Sequence, residues 1–141
     1  MLHPSGQFLQ EIIDSTRRVN LNNESLVLKI CYGKTSLLLS GDAEREAEGV
    51  MSRQYRSFLK SDVLKVGHHG SKTSSSDIYL HYVQPQFAII SVGEKNKFKH
   101  PSPATVERLQ NMGASVLRTD RLGAVVMESD GERWSVVDWR K

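Results

Sequence analysis

Short apolar runs alternate with helix-forming stretches along most of this chain. Three of these runs, each closed by a glycine at the next position, cover residues 36–40, 62–66 and 87–92. Runs of this length bounded by glycine are typical of short buried strands. Strands that alternate with helices pack as a sheet layer against a helix layer, so the pattern predicts a mixed α/β architecture.

The predicted order of elements is β-β-α-β-α-β-α-β-β-β. Predicted strands cover residues 25–31, 36–40, 62–66, 87–92, 115–118, 124–128 and 134–137. Predicted helices cover 43 to about 59, 77–83 and 104–112. The glycine at position 33 marks a turn, so the first two strands are expected to form a hairpin.

The composition fits one soluble globular domain. The 141 residues are 38% apolar and 25% charged, which suits a single core of ordinary size. No apolar run approaches the roughly 20 residues of a membrane span, and the first residues lack the pattern of a signal peptide. The single cysteine, Cys31, excludes an internal disulfide and is expected to be buried as a small hydrophobic residue.

The net charge permits a polyanionic partner without demanding one. There are 19 basic and 16 acidic residues, a net charge of +3, which falls short of the dense basic face of a dedicated nucleic-acid binder. The most basic stretch is the predicted loop at 95–100, where three lysines surround one phenylalanine.

Three polar clusters follow predicted strands, where catalytic groups often lie. Asp42 follows the strand at 36–40, and it fits either a metal ligand or a helix N-cap. His68 and His69 follow the strand at 62–66, and the loop up to His100 follows the strand at 87–92. Aspartate with histidine is a ligand combination suited to zinc or manganese.

The residues also resemble a known family. The resemblance is carried by Leu38-Leu-Ser-Gly-Asp42-Ala-Glu, Asp62-Val-Leu-Lys-Val-Gly-His-His-Gly-Ser-Lys-Thr-Ser74, Ile89-Ile-Ser-Val-Gly93, His100-Pro and Leu117-Arg-Thr-Asp120. These motifs, in this order, are similar to the C-terminal region of ComEC-type DNA-uptake proteins. The resemblance implies a metallo-β-lactamase-like αββα sandwich, of which residues 1–141 would be the C-terminal half.

The resemblance also implies roles for individual residues. Asp42 matches the superfamily aspartate that bridges two metal ions, His69 matches a histidine ligand, and His68 is the fallback ligand. Zinc or manganese is the implied cofactor of the intact domain. The catalytic pair would then be Asp42 and His69.

A phosphate-binding group is implied next to the metal ligands. Ser71, Lys72 and Thr73 would hold a phosphate through hydroxyl and ammonium donors. His100 would contact substrate, assist proton transfer or make a structural hydrogen bond, and Lys97 would contact phosphate.

The principal metal motif of the superfamily, His-x-His-x-Asp-His, is absent from the sequence. In the family this motif lies upstream, so the chain resembles the C-terminal part of a longer domain. We therefore expect weakened metal binding or none in this part alone, and self-association through the uncovered sheet face. Asn22 or Asn23 lies near the place of another histidine ligand, and His3 also matches the family.

Two functions are the main alternatives, and hydrolysis of a small β-lactam or thioester, which the lysines disfavour, is a third. The first is part of a metal-dependent hydrolase that cleaves DNA phosphodiesters during DNA uptake. The second is a non-catalytic module that holds DNA or another protein. The family implies tethering to a membrane channel on the extracytoplasmic side of the inner membrane. Residues 1–20, with an amphipathic spacing at 8–13, are predicted to be flexible or to form a short helix.

Overall fold

The computed structural model describes residues 1–4, 6 and 20–141. Its strands are Leu28–Tyr32 (β1), Thr35–Leu39 (β2), Val63–Lys65 (β3), Phe87–Ile90 (β4), Ser115–Arg118 (β5), Val126–Ser129 (β6) and Trp134–Val137 (β7). The first five form one sheet in chain order, and the last two form a hairpin. The β1–β2 pair is antiparallel and β2 to β5 run parallel.

Helices flank this mixed sheet, which confirms the predicted α/β class. They are Arg45–Tyr55 (α1), Asp77–Val83 (α2), Pro103–Asn111 (α3) and the single turn Thr119–Leu122 (α4). Further 3-10 turns cover Leu21–Glu24, Arg56–Leu59 and Gly67–Gly70. In the part of the chain that the structure describes, every helix is too short or too polar to cross a membrane.

The first helix is shorter than its predicted span of 43 to 59. It begins at Arg45 because the Asn23 side chain caps it: the Asn23 Oδ1 accepts the N–H groups of Glu44 at 3.0 Å and Ala47 at 3.4 Å. It ends at Tyr55 because Arg56 has a left-handed φ of 45°. The chain then continues as a 3-10 turn.

One face of the five-stranded sheet is covered by helices. Leu38, Leu64 and Ala88 are neighbours across β2, β3 and β4, and all three are fully buried. The helices that connect parallel neighbouring strands lie on one side of a sheet, because the connections are right-handed. Buried side chains from these helices complete the same core, among them Met51, Leu80 and Leu109.

The opposite face, here called the open face, is mostly apolar. Strand alternation and register place on it Leu28, Ile30, Leu37, Leu39, Val63, Phe87, Ile89 and Leu117, with the charged Lys65 between Leu39 and Ile89. Val63 is buried, the other apolar side chains are about half-buried, and Ile30 on the edge strand is 49% exposed. The sheet therefore carries apolar residues on both faces, although the helices among the described residues cover one.

The β6–β7 hairpin contacts the β1–β2 turn through its tip. The N–H of Lys34 donates to the Gly131 carbonyl at 2.6 Å, and the hydroxyls of Thr35 and Ser129 lie 2.7 Å apart. Gly33 has φ +57°, and a Cβ there would lie 2.3 Å from the Gly131 oxygen. Only glycine fits this close approach.

The expected burial of Cys31 is wrong, since this cysteine is exposed. It lies at the end of edge strand β1, next to the hairpin turn, where few neighbours are available to cover it.

The start of the chain adds to the sheet edge. Leu2 and His3 are buried, and His3 forms an antiparallel bridge with Val27. Most of the stretch predicted to be flexible, including the amphipathic spacing at 8–13, lies outside the described residues.

Candidate metal centre

The three polar clusters that follow β2, β3 and β4 meet at one edge of the sheet. These strands are parallel neighbours, so their carboxyl ends lie side by side. In open α/β sheets, ligands bind in the crevice outside the carboxyl ends of the strands. The fold therefore brings together three clusters that the sequence placed only at the ends of separate strands.

Asp42 follows β2 in a tight turn. Gly41 has φ +53°, and a Cβ there would lie 2.9 Å from the Ser25 Cβ, so the turn requires glycine. The Asp42 N–H donates to the Ser25 hydroxyl at 3.0 Å. Because Asn23 caps the first helix, the alternative role of Asp42 as N-cap is wrong. Its side chain is 44% exposed.

A left-handed turn separates the two adjacent histidines. His68, His69 and Gly70 have φ values of 44°, 53° and 78°. Left-handed conformations are uncommon for residues other than glycine, and clusters of them occur at functional sites. The two imidazole rings consequently stand 6.3 Å apart at 64° and contact different partners.

His69 is oriented toward Asp42. Its Nδ1 lies 2.7 Å from the Ser91 carbonyl oxygen, and its Nε2 lies 3.9 Å from Asp42 Oδ1. A carbonyl can only accept a hydrogen bond, so Nδ1 carries a proton, and the neutral form of the ring has its lone pair on Nε2. A histidine held this way through one nitrogen presents the other to a metal ion.

His68 is held by a carboxylate instead. Its Nδ1 lies 2.6 Å from Glu44 Oε1. Glu44 also accepts the side-chain amides of Asn20 at 2.8 Å and Asn22 at 3.2 Å. Burial raises the pKa of Glu44, but hydrogen bonds from Asn22, Asn20, Thr73 and His68 outweigh it, so the pKa is lowered overall. An ionised Glu44 thus fixes the position of His68.

The three further positions that resemble the family differ in their distance from this cluster. The Asn22 amide nitrogen lies 3.5 Å from His68 Nδ1, so Asn22 adjoins the site. Asn23 is buried and caps the first helix. His3 Nε2 lies 2.6 Å from the Asn23 carbonyl oxygen.

The three residues predicted to bind phosphate are accessible to different degrees. Ser71 is buried, and its hydroxyl lies 2.8 Å from that of Thr73. Lys72 is exposed and, with Thr73 and Arg45, lines a cavity of about 410 Å³. Lys72 is therefore the most accessible donor of the three, and their binding of phosphate stays a prediction.

His100 joins the histidine cluster from the loop after β4. Its N–H donates to Asn96 Oδ1 at 2.8 Å, and its ring lies 5.6 Å from that of His68. Burial lowers the pKa of His100, and the charges of His68 and His69 lower it further. Lys97 is exposed in the same loop.

The donors that meet here fit part of a metal site. Asp42 supplies a carboxylate and His69 an imidazole nitrogen, which suits zinc or manganese. Across 1–4, 6 and 20–141, no group of three or more histidine, cysteine, aspartate or glutamate side chains is arranged to hold a metal ion. A catalytic zinc has three protein ligands and an open position, so this pair is an incomplete ligand set.

Sequence reasoning missed three groups around the site. The Ser91 carbonyl orients His69, but a backbone carbonyl leaves no signal in a sequence. Glu44 lies next to the start of the first helix, where acids are common, so the sequence gives no signal of its contact with His68. Lys65 did leave a signal, as the charged residue inside the apolar run at 63–66; burial lowers its pKa, while the charge of Asp42 opposes this shift.

Comparison with known proteins gives several clear relatives. Over 117 residues the chain is 39% identical to Competence protein ComA of Neisseria gonorrhoeae. This match covers 82% of this chain and 17% of that protein. Over 104 residues, 74% of this chain, it is 43% identical to ComE operon protein 3 of Bacillus subtilis and 44% identical to Recombination protein 2 of Haemophilus influenzae. The match spans 13% of each of those two proteins. No protein-family model matches the chain.

Proposed function

Because the chain is homologous to a segment of the ComEC-family competence proteins, we propose that it acts in DNA uptake during natural competence, as part of a metal-dependent hydrolase site. Its substrate in this proposal is a DNA phosphodiester. Membrane tethering of the longer protein belongs to the same proposal.

The observation that carries the proposal is the pairing of Asp42 with His69. The Ser91 carbonyl fixes the His69 tautomer, and its Nε2 lies 3.9 Å from the Asp42 carboxylate. A pair that served only to stabilise the fold would be expected to lie closer and to be buried, whereas these side chains are 49% and 44% exposed. Both groups are therefore available to a ligand from solvent.

Each residue has a distinct role in this proposal. Asp42 and His69 hold a divalent cation, which supplies Lewis-acid activation when bound. Glu44 and His68 form the adjoining polar wall. Lys72 supplies a cation to a bound phosphate, and a charge placed where negative charge develops stabilises the transition state.

The remaining metal ligands come, in this proposal, from a second layer that packs on the open face. The upstream half of the same domain is the partner we propose. The apolar residues of the open face support it, because a sheet covered on both faces needs apolar side chains on both. A second copy of the chain on this face is the alternative occupant.

Cleavage of labelled DNA by the chain combined with the upstream half of the domain, in the presence of manganese or zinc, tests the proposal, with the Asp42→Ala/His69→Ala double variant as the matched control. Cleavage that stops with a chelator, returns with one metal and is lost in the double variant would support it. Equal cleavage by both proteins would refute it.

A DNA-holding module without catalysis is the second candidate, favoured by the exposed lysines of the loop at 95–99. Phosphate contacts of this kind weaken steeply as salt rises and do not respond to chelators. Binding with that profile and no metal-dependent cleavage would favour this candidate.

A further inference from the structure

An exposed aromatic ring stands beside the candidate metal centre. Phe98 is 67% exposed, and its ring stacks on that of His100 with centroids 5.9 Å apart and an angle of 18° between the planes. His100 in turn lies 5.6 Å from His68. His100 thus lies between the exposed Phe98 ring and the turn at Gly67–Gly70, here called the histidine turn.

The loop that carries Phe98 is held in place by one asparagine. The Asn96 amide donates to the carbonyls of Gly93 at 3.0 Å and His100 at 2.8 Å, and its oxygen accepts the His100 N–H at 2.8 Å. The N–H of Ser102 also donates to the Gly70 carbonyl at 2.8 Å, which ties the loop to the histidine turn. Phe98 is therefore presented by a fixed loop.

Positive charge surrounds this ring. Lys95, Lys97 and Lys99 are all exposed, against one acid in the loop, Glu94. The Lys97 ammonium lies 5.0 Å from the centroid of Phe98. Exposed aromatic rings among basic side chains are the elements with which proteins bind single-stranded nucleic acid, through base stacking and phosphate contacts.

We propose that Phe98, backed by His100, stacks a nucleobase of single-stranded DNA whose phosphates contact the loop lysines. The proposal rests on the proposed function and names its substrate class. A single strand is required, because the bases of a duplex are already stacked on one another and do not reach a side chain on the surface. The stacked base would position a neighbouring phosphodiester near Asp42 and His69.

Fluorescence anisotropy with a labelled oligothymidylate tests this, alongside an abasic oligonucleotide of equal length and a duplex. Phe98→Ala should weaken oligothymidylate binding by roughly 5- to 100-fold, the usual effect of losing a base-stacking ring. Phe98→Trp should bind at least as tightly as the unmodified chain. Binding of the abasic strand should be the same in all three proteins.

Phe58 provides a matched control. It is 60% exposed and has the Lys29 ammonium 4.8 Å from its ring centroid, but it lies in the turn before β3, away from the carboxyl edge of the sheet. Phe58→Ala should leave binding unchanged.

Several results would overturn the inference: no binding of oligothymidylate, equal affinity for the abasic strand, preference for the duplex, or an equal loss in Phe58→Ala and Phe98→Ala. The proposed function fails separately, through cleavage that ignores metal or persists in the Asp42→Ala/His69→Ala variant. Base-dependent binding in that double variant would support stacking whatever happens to cleavage.

Discussion

The two faces of the five-stranded sheet have similar sequences but different surroundings. On the covered face, Leu38 and Leu64 are fully buried under the helices, whereas on the open face Leu37 and Leu39 are half-buried. Continuous apolar strands such as 37–39 are typical of sheets covered on both faces. Among the described residues, the difference indicates that the helices cover one face and that the open face suits a further layer.

The candidate metal centre shows a similar contrast. His68 contacts Glu44 through Nδ1 and its side chain is 25% exposed, whereas the side chains of His69 and Asp42 are 49% and 44% exposed. An incomplete ligand set and an incompletely covered face both follow if the chain forms one side of a larger site.

The largest expected effect is the difference in stability loss between alanine variants of two adjacent leucines, one on each face of the sheet. Leu38→Ala should lower the free energy of unfolding by about 3 to 5 kcal/mol, since it leaves a cavity in the core. Leu39→Ala, on the open face, should cost about 1 kcal/mol, because less apolar surface is buried there. Urea denaturation of both variants measures the two values. Equal losses would contradict the distinction between the faces.

A second prediction concerns how stability depends on pH through a buried carboxyl group on the covered side of the sheet. Glu48 is fully buried and accepts the N–H groups of Ser75 and Ser76, which fixes the loop before α2. Burial raises its pKa, with the hydrogen bonds and Arg108 opposing. The folded chain therefore holds this proton more tightly than the unfolded chain does.

The protonated Glu48 carboxyl therefore adds to the free energy of unfolding. This contribution is full below the ordinary glutamate pKa and is lost as the pH rises through the raised pKa of the folded chain. Glu48→Gln should remove this loss of stability with rising pH. It should also lower the free energy of unfolding by about 1 to 3 kcal/mol at low pH, because one amide oxygen replaces the two oxygens that accept from Ser75 and Ser76. Thermal denaturation across pH measures both effects. An unchanged pH profile in the variant would show that Glu48 is not the group responsible.

The smallest effect on stability is expected on the open face. Ile30→Lys should leave the free energy of unfolding nearly unchanged, because this side chain is 49% exposed. It should shift the chain from dimer toward monomer if copies associate through this face. Sedimentation of the unmodified chain and the variant measures the change. A dimer that persists in the variant would place the contact elsewhere.

The sequence predicted the elements with strong local patterns and the edge where the site forms. The bounds of α2, β5 and β7 are as predicted, because each is set by nearby residues. The start of α1 is set by Asn23, which is distant in sequence, so local propensity could not find it.

The candidate site was predictable to a similar degree. The resemblance to the family implies that Asp42 and His69 belong to one metal site. The different partners of the two histidines could not be predicted, because they depend on a left-handed turn, on Glu44 and on the Ser91 carbonyl.

We propose Asp42 and His69 as the metal ligands, because His69 Nε2 lies 3.9 Å from the Asp42 carboxylate. Zinc titration followed through the imidazole nitrogens by NMR tests it most directly. We expect Nε2 of His69 to shift while its Nδ1 keeps its proton, with binding retained in His68→Ala and lost in His69→Ala and Asp42→Ala. Zinc binding that survives in His69→Ala, or a zinc-dependent shift of His68 in place of His69, would contradict this assignment.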